Sequence, residues 1–178
     1  MPARTLVAYA HDDGFTLHRA HGEPQLSPAH PFGREDTFPA RVRARLRALG
    51  IRAFDPDGDH PEVHADPVAT SLDWQGVLAA VDAREDDWLF RVHDDWTVTR
   101  YRVVSLDLSV RVDCPIDDSG VLLPVEAHET DYAVGWVEGV KSTVADGLRC
   151  GLADPETASD YLQSRIERFA GDRETYRV

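Results

Sequence analysis

The chain contains little lysine and little cysteine, and it has no long apolar run. Lys141 is its only lysine, and Cys114 and Cys150 are its only cysteines. Two cysteines without a C-x-x-C pair provide no disulfide framework, which is typical of a protein from a reducing compartment. The early apolar run Leu6 to Ala10 is too short for a signal-peptide core, and no run approaches the roughly 18 apolar residues of a membrane-spanning helix. We therefore expect a cytoplasmic protein that binds no membrane.

Common catalytic motifs are also missing. The sequence contains no G-x-x-x-x-G-K-[ST], no G-x-G-x-x-G and no G-x-S-x-G, which removes the usual signals for an ATP loop, a dinucleotide site and a hydrolase elbow. Lys141 is the only lysine that could form a Schiff base, and it is expected in the middle of a helix. We expect no nucleotide cofactor.

What the chain has in excess is negative charge. It carries 32 acidic against 19 basic residues, a net charge of −13, with Asp outnumbering Glu 22 to 10 and Arg outnumbering Lys 18 to 1. At molar salt the Debye length falls to about 3 Å, so the repulsion within an acidic surface is screened. Short, hydrated Asp in place of the apolar lysine stem also keeps a protein soluble there. This balance predicts halophile adaptation, because a GC-rich genome favours Arg over Lys but does not explain the acidic excess.

The pattern of elements predicts an α+β fold. Length and a hydrophobic content of 42% fit one globular domain over 1–178. Strands are expected at 5–10, 15–20, 51–54, 88–93, 96–113 and 121–127, and helices at 37–50, 71–83, 131–149 and 155–170. Because hairpins rather than regular βαβ crossovers join the strands, we expect a single antiparallel sheet of about five to six strands with about four helices packed mainly on one face.

Local signals refine these elements. Alternating apolar residues in the long predicted strand, Val104, Leu106, Leu108, Val110 and Val112, predict one buried face. Thr130 is expected to cap the helix 131–149. Asp154 is expected to cap the last helix, with Pro155 at its first position and Gly171 after its end.

Two groups of residues have the chemistry of metal ligands. His18 and His21 end the first hairpin, but in a regular strand these positions point to opposite faces, so a shared ion requires the strand to end near Ala20. The other candidate ligands lie in the acidic 55–66 loop and are Asp57, Asp59, His60 and His64. That loop spaces its Asp residues like an EF-hand, but His60 stands where an EF-hand needs glycine. A divalent metal site is therefore one interpretation, and a solvated acidic loop is the other.

Two helices carry features that differ from the acidic background. Arg41, Arg43, Arg45 and Arg47 lie on the predicted 37–50 helix. Pairing with the surplus carboxylates explains them, and molar salt weakens phosphate contacts, so we do not expect nucleic-acid binding. In the helix 131–149, Gly135 and Gly139 flank Trp136 one turn apart, and each glycine costs up to about 1 kcal/mol relative to Ala. Their presence predicts the close approach of another backbone, either inside the protein or from a partner protein.

Several blocks together resemble a known family. They are Arg4–Tyr9, the Asp13-Gly14 turn, Leu17–His21, Asp66–Thr70 and Gly135–Val140 with Asp146. The chain resembles an uncharacterised haloarchaeal family of small acidic proteins, a domain of unknown function with an opening similar to LVAYE…DG…LHYSHWG. The resemblance implies a halophilic archaeal source and no particular activity. The Tyr and Trp of that opening are Arg19 and Gly22 in this chain, which puts any role of those aromatics in doubt.

Two main functions remain in view, and nucleic-acid contact through the 37–50 arginine helix is a third, weaker alternative. The first is a non-enzymatic binding or regulatory module that contacts a protein partner, or a second copy in a homo-oligomer, through Gly135, Trp136 and Gly139 or through the His18–His21 edge. The second is a small metal-dependent, hydrolase-like enzyme that combines His18 and His21 with carboxylates of the 55–66 loop. The sequence alone leaves the activity unknown.

Overall fold

The computed structural model describes residues 3–21, 67–95, 97–115 and 117–178. It divides into two compact units. Unit 1 consists of the described residues of Met1–Val81 and Trp88–Thr99, and unit 2 of those of Asp82–Asp87 and Arg100–Val178. The single domain expected over 1–178 stays a prediction.

Unit 1 is built on a hairpin. Strands β1 (Arg4–His11) and β2 (Gly14–His21) pair antiparallel, as the Asp13-Gly14 signal predicts. Gly14 has a φ of +118°, and a Cβ there would collide with the carbonyl oxygen of Leu72, so glycine is required at this turn. This part of the prediction is confirmed.

Two further strands and a short helix complete the described part of unit 1. Strand β3 (Ala69–Leu72) pairs antiparallel with β2, and strand β4 (Trp88–Val92) pairs parallel with β1. Between them lies helix α1 (Trp74–Ala79), whose first turn is capped by Asp73, which accepts a hydrogen bond from the Gly76 N–H at 2.7 Å. The helix expected over 71–83 is thus shorter, because β3 takes its first two residues.

Unit 2 combines antiparallel strands with two long helices. Its strands are β5 (Val98–Ser105, in this unit from Arg100 onward), β6 (Gly120–Pro124) and β7 (Tyr176–Arg177). A single 3-10 turn, Ala127–Glu129, leads into helix α2 (Thr130–Arg149), and helix α3 (Pro155–Ala170) follows. The core of unit 2 includes Leu122, Leu162 and Ile166, all fully buried.

The predicted fold class is wrong in strand number and direction. The described residues contain seven strands, which pair in the order β3-β2-β1-β4 in unit 1 and β5-β6-β7 in unit 2, and the pairing is mixed because β1 and β4 are parallel. The described residues form three helices, and the expected 37–50 helix and 51–54 strand lie outside them. The sequence feature that indicates the parallel pairing is Trp88–Val92, a nearly continuous apolar run that is typical of a central strand paired on both sides.

The long strand expected over 96–113 ends at Ser105. Leu106 and Leu108 are still buried, but Val110 is 88% exposed, so the predicted alternation does not continue. The cause is Asp107, whose carboxylate accepts hydrogen bonds from both the backbone N–H and the hydroxyl of Ser109 at 2.9 Å. Such a local side-chain bond offers the backbone a turn in place of a strand ladder.

The boundaries of the later elements were predicted more closely. Asp154 caps α3, Pro155 is its first residue and Gly171 ends it with a φ of +66°, as expected. The strand expected over 121–127 stops at Pro124. Thr130 is the first residue of α2 and not its cap, because the 3-10 turn before it occupies the capping position.

Candidate functional site

His18 lies inside unit 1. It sits opposite Val7 in the hairpin, is only 1% exposed, and meets the Tyr9 ring edge to face with 5.7 Å between the ring centres. The neighbouring positions Thr5 and Thr16 are also buried polar residues, at 1% and 3% exposure. The surroundings of His18 are those of a core histidine.

The predicted metal site is only partly within the described residues. Strand β2 continues through His21, which pairs with Arg4, so positions 18 and 21 face opposite sides of the sheet. The His21 side chain and the candidate ligands Asp57, Asp59, His60 and His64 lie outside the described part. Among the residues that the structure describes, no three His, Cys, Asp or Glu side chains are grouped closely enough to hold a metal ion. The metal site stays a prediction.

The arginine helix is also outside the described residues. This applies to Arg41, Arg43, Arg45 and Arg47, and the expectation that the chain binds no nucleic acid stays a prediction. In the described ranges, no helix is long and apolar enough to cross a membrane.

Helix α2 exposes both of its paired glycines. Gly135 and Gly139 lie on the solvent side, and a Cβ added at either would meet no atom within 4 Å. Within the described part of the protein, no second backbone approaches them, so internal packing does not explain their presence. The alternative, contact with a partner protein, stays a prediction.

An aromatic stack borders these glycines. Trp136, between them in sequence, is half-buried and stacks on Phe169 of α3 with 4.3 Å between ring centres and 23° between ring planes. Tyr132, one turn earlier, also packs against Phe169 at 5.9 Å and remains 69% exposed. The stack anchors Trp136 and leaves the ring of Tyr132 open to solvent.

These residues form one uncharged strip of the helix surface. Positions 132, 135, 136, 139 and 143 are spaced three or four apart and therefore share one side of α2. We call this set, Tyr132, Gly135, Trp136, Gly139 and Thr143, the α2 stripe. Within this stripe, the Thr143 hydroxyl donates a hydrogen bond to the Gly139 carbonyl of the same helix at 3.0 Å. None of these five residues carries a charge.

A different side of α2 lines a small groove. The groove has a volume of about 190 Å³ and lies between α2, strand β5 and the 82–87 segment of unit 2. Lys141 points to it and is half-buried, and its pKa is lowered by burial. Sequence reasoning placed Lys141 mid-helix correctly but did not find the groove, because the walls come from segments up to about 60 residues apart in the chain.

A larger cavity of about 390 Å³ lies between the 106–118 segment and α3 of unit 2. Burial would raise the pKa of Asp117, but its hydrogen bonds from Ser119 and Ser159 lower it below the ordinary value. Burial raises the pKa of the Cys114 thiol, and nearby aspartates including Asp107 raise it further. The thiol is therefore held protonated, and Asp117 is held in place by its serines, which makes this cavity a poor nucleophilic site.

Comparison with known proteins gives one match. A model described as a family of unknown function (DUF6735) matches residues 1–178. No curated protein matches the chain, and no solved structure matches it. The expected similarity to a family of unknown function is confirmed at this level.

Proposed function

The chain belongs to the family of unknown function DUF6735, and we propose that it is a non-enzymatic binding module that pairs with a second copy of itself through the α2 stripe. The observation that carries this proposal is the exposure of Gly135 and Gly139, where an added Cβ would meet no described atom outside its own helix backbone within 4 Å. The argument rests on helix energetics, charge and the flanking aromatic rings.

The two glycines weaken the helix without an internal gain. Each costs up to about 1 kcal/mol relative to alanine in an exposed helix. Glycines one turn apart permit a facing backbone to approach more closely than any side chain allows. In a dimer with a two-fold axis, the glycines of each α2 face the α2 backbone of the other copy. The same helix surface therefore forms both sides of the interface.

The charge pattern favours a second copy of the chain as the partner that contacts the α2 stripe. A net charge of −13 makes copies of this chain repel one another in dilute buffer. The α2 stripe is uncharged along its length, and just beyond it Asp146 is paired with Arg149 at 2.6 Å. Two copies can therefore meet along this stripe without opposing carboxylates directly.

The aromatic side chains supply the anchor. Tyr132 is 69% exposed, and Trp136 is held by its stack on Phe169. Tyrosine and tryptophan dominate the binding energy of many interfaces because they bury a large area at little entropic cost. A facing copy would cover the open part of both rings.

Sedimentation equilibrium in molar KCl tests the proposal. We expect the wild-type chain to dimerise with rising concentration and the Gly139→Leu variant to remain monomeric. A Cβ at position 139 meets no described atom within 4 Å, so we expect the leucine to act on association and not on the fold. Ser164→Leu, at an exposed position of α3, is the matched control and should dimerise like the wild type. A wild-type chain that is monomeric throughout, or a Gly139→Leu dimer, would overturn the proposal.

We also infer that the module works in a salty cytoplasm. The support is the joint excess of Asp and loss of Lys, together with two free cysteines, Cys114 and Cys150. Screening at molar salt removes most of the repulsion that a charge of −13 creates in dilute buffer. We expect circular dichroism to show loss of structure on dilution from molar KCl to about 0.05 M. An unchanged spectrum contradicts halophile adaptation.

A further inference from the structure

We propose that the groove around Lys141 binds a small oxyanion, either a phosphate or the carboxylate of a small molecule. The site lies on a different side of α2 from the stripe and does not depend on the dimer. Four observations in unit 2 carry the proposal: the shape of the groove, the pairing of its arginines, the donors left over, and the burial of the ammonium.

The groove is small and has an apolar wall. Val134 and Val137 of α2 and Val103 of β5 line it, and its volume is about 190 Å³. Sites for drug-sized ligands usually measure about 300–1,000 Å³. The groove therefore fits an inorganic ion or a compact metabolite rather than a cofactor.

The arginines near the groove are already paired. Arg102 contacts the Asp87 carboxylate at 3.1 Å and donates to the Asp87 carbonyl at 3.0 Å. Arg84 contacts Asp118 at 3.1 Å, and Arg111 is paired with Glu138. Each guanidinium is thus held in place by a carboxylate.

Lys141 differs from these arginines. Within the described part of the chain its ammonium makes no hydrogen bond and no ion pair, and Glu138, one turn before it, is taken by Arg111. A lysine ammonium has three donors that rotate freely on a flexible stem, which suits a compact anion. Among the described residues, Lys141 is therefore a cation of the groove whose ammonium has no hydrogen-bond or ion-pair partner.

Ser105 supplies a second donor. Its hydroxyl oxygen accepts a hydrogen bond from the Asp107 N–H at 3.1 Å, which leaves the hydroxyl proton free to donate into the groove that Ser105 lines. An oxyanion between Lys141 and Ser105 would receive a charge-assisted bond from one and a neutral bond from the other.

The carboxylates of the lining are occupied or exposed. Asp87 and Glu138 are paired with arginines, and the buried Asp86 accepts a hydrogen bond from the Asp82 N–H at 2.9 Å. Glu85 lies on the exposed rim. Three of the four carboxylates that line the groove are therefore engaged by donors of the protein itself.

Burial of the Lys141 ammonium also favours a bound anion. Burial is the main reason that the pKa of Lys141 is lowered; Arg111 and Arg102 lower it further, against the opposing effects of Glu138 and Asp107. An ammonium that has lost water and gained no partner is stabilised by an anion placed beside it. Binding should therefore raise the pKa of Lys141.

Because Lys141 is the only lysine, one labelled lysine signal reports on the site. We would label lysine with ¹³C at Cε and follow that signal in 2 M KCl, replacing part of the KCl by potassium phosphate or by potassium acetate at constant ionic strength. We expect a saturable shift and a raised Lys141 pKa with at least one of them. Saturation by phosphate assigns a phosphate site, and saturation by acetate assigns a carboxylate site.

Two variants sharpen the result. Ser105→Ala should lower the affinity for the anion about fivefold, the usual effect of losing one hydrogen bond. Ser164→Ala, on the exposed side of α3, should leave the affinity unchanged. Calorimetry on Lys141→Gln should show no binding. Shifts that stay linear for both anions, or undiminished binding to Lys141→Gln, would overturn the site.

Discussion

Helices α2 and α3 of unit 2 differ in how well their own packing explains their sequences. Helix α3 begins with Asp154, which accepts from the Thr157 N–H at 2.8 Å, and ends at Gly171. Helix α2 has no side-chain bond at its N-cap, two exposed glycines and a half-buried lysine that pairs with no other described residue. Residues that break local rules without an internal gain are expected at functional surfaces. The difference fits a stabilising role for α3 and is compatible with the binding role proposed for α2.

The largest expected effect tests the stabilising role of α3. Ile166 is fully buried, so Ile166→Ala should lower the free energy of unfolding by about 2–5 kcal/mol through lost burial and a cavity. Urea titration in molar KCl measures it. Tyr161→Ala on the same helix, at a position that is 52% exposed, should change stability by about 0.5 kcal/mol or less. If the two variants lose equal stability, α3 is not the anchor of unit 2.

A smaller effect of opposite sign is expected on α2. Gly135→Ala and Gly139→Ala should each raise the free energy of unfolding of the monomer, by up to about 1 kcal/mol, because alanine restricts the unfolded chain and has room in the helix. Urea titration below the concentration for association measures this. Gly151→Ala is the contrast, and it should destabilise because Gly151 has a φ of +69°. Destabilisation by Gly135→Ala and Gly139→Ala would mean that the two glycines contribute to the stability of the monomer.

The sequence predicted the parts of the fold that depend on local chemistry. The Asp13-Gly14 hairpin and the capped ends of α3 follow from turn and capping residues that act within a few positions. The parallel pairing of β4 with β1 could not be inferred in this way, because strand direction depends on a connection of many residues. The end of β5 at Ser105 was missed because Asp107 was counted as the polar half of an alternation, whereas its carboxylate forms a turn with Ser109.

The candidate sites also divide into features that local sequence predicts and features that depend on the folded chain. Gly135 and Gly139 were found from the sequence because a glycine pair in a helix is a local anomaly. Their exposure could not be found, since it depends on which side of α2 meets α3. The Lys141 groove was missed altogether, because Ser105 and Arg102 come near Lys141 only after folding.

The smallest expected effect concerns the charge of Lys141. Its pKa is lowered in the folded chain by burial and then by Arg111 and Arg102, against Glu138 and Asp107, whereas an unfolded lysine keeps the ordinary value of 10.5. Between these two values the unfolded chain binds more protons, so the free energy of unfolding should rise with pH. Below the lowered value, both states are protonated and the cost of burying the ammonium is fully present. Lys141→Met should abolish this rise, and the difference between the two urea titrations isolates the contribution of Lys141. The anion that saturates the site, phosphate or acetate, should flatten the wild-type rise as well, because an anion that raises the pKa of Lys141 in the folded chain reduces its difference from the unfolded value. An equal rise in both proteins would show that Lys141 is solvated like any surface lysine, and α2 would then differ from α3 only in its exposed glycines and its N-cap.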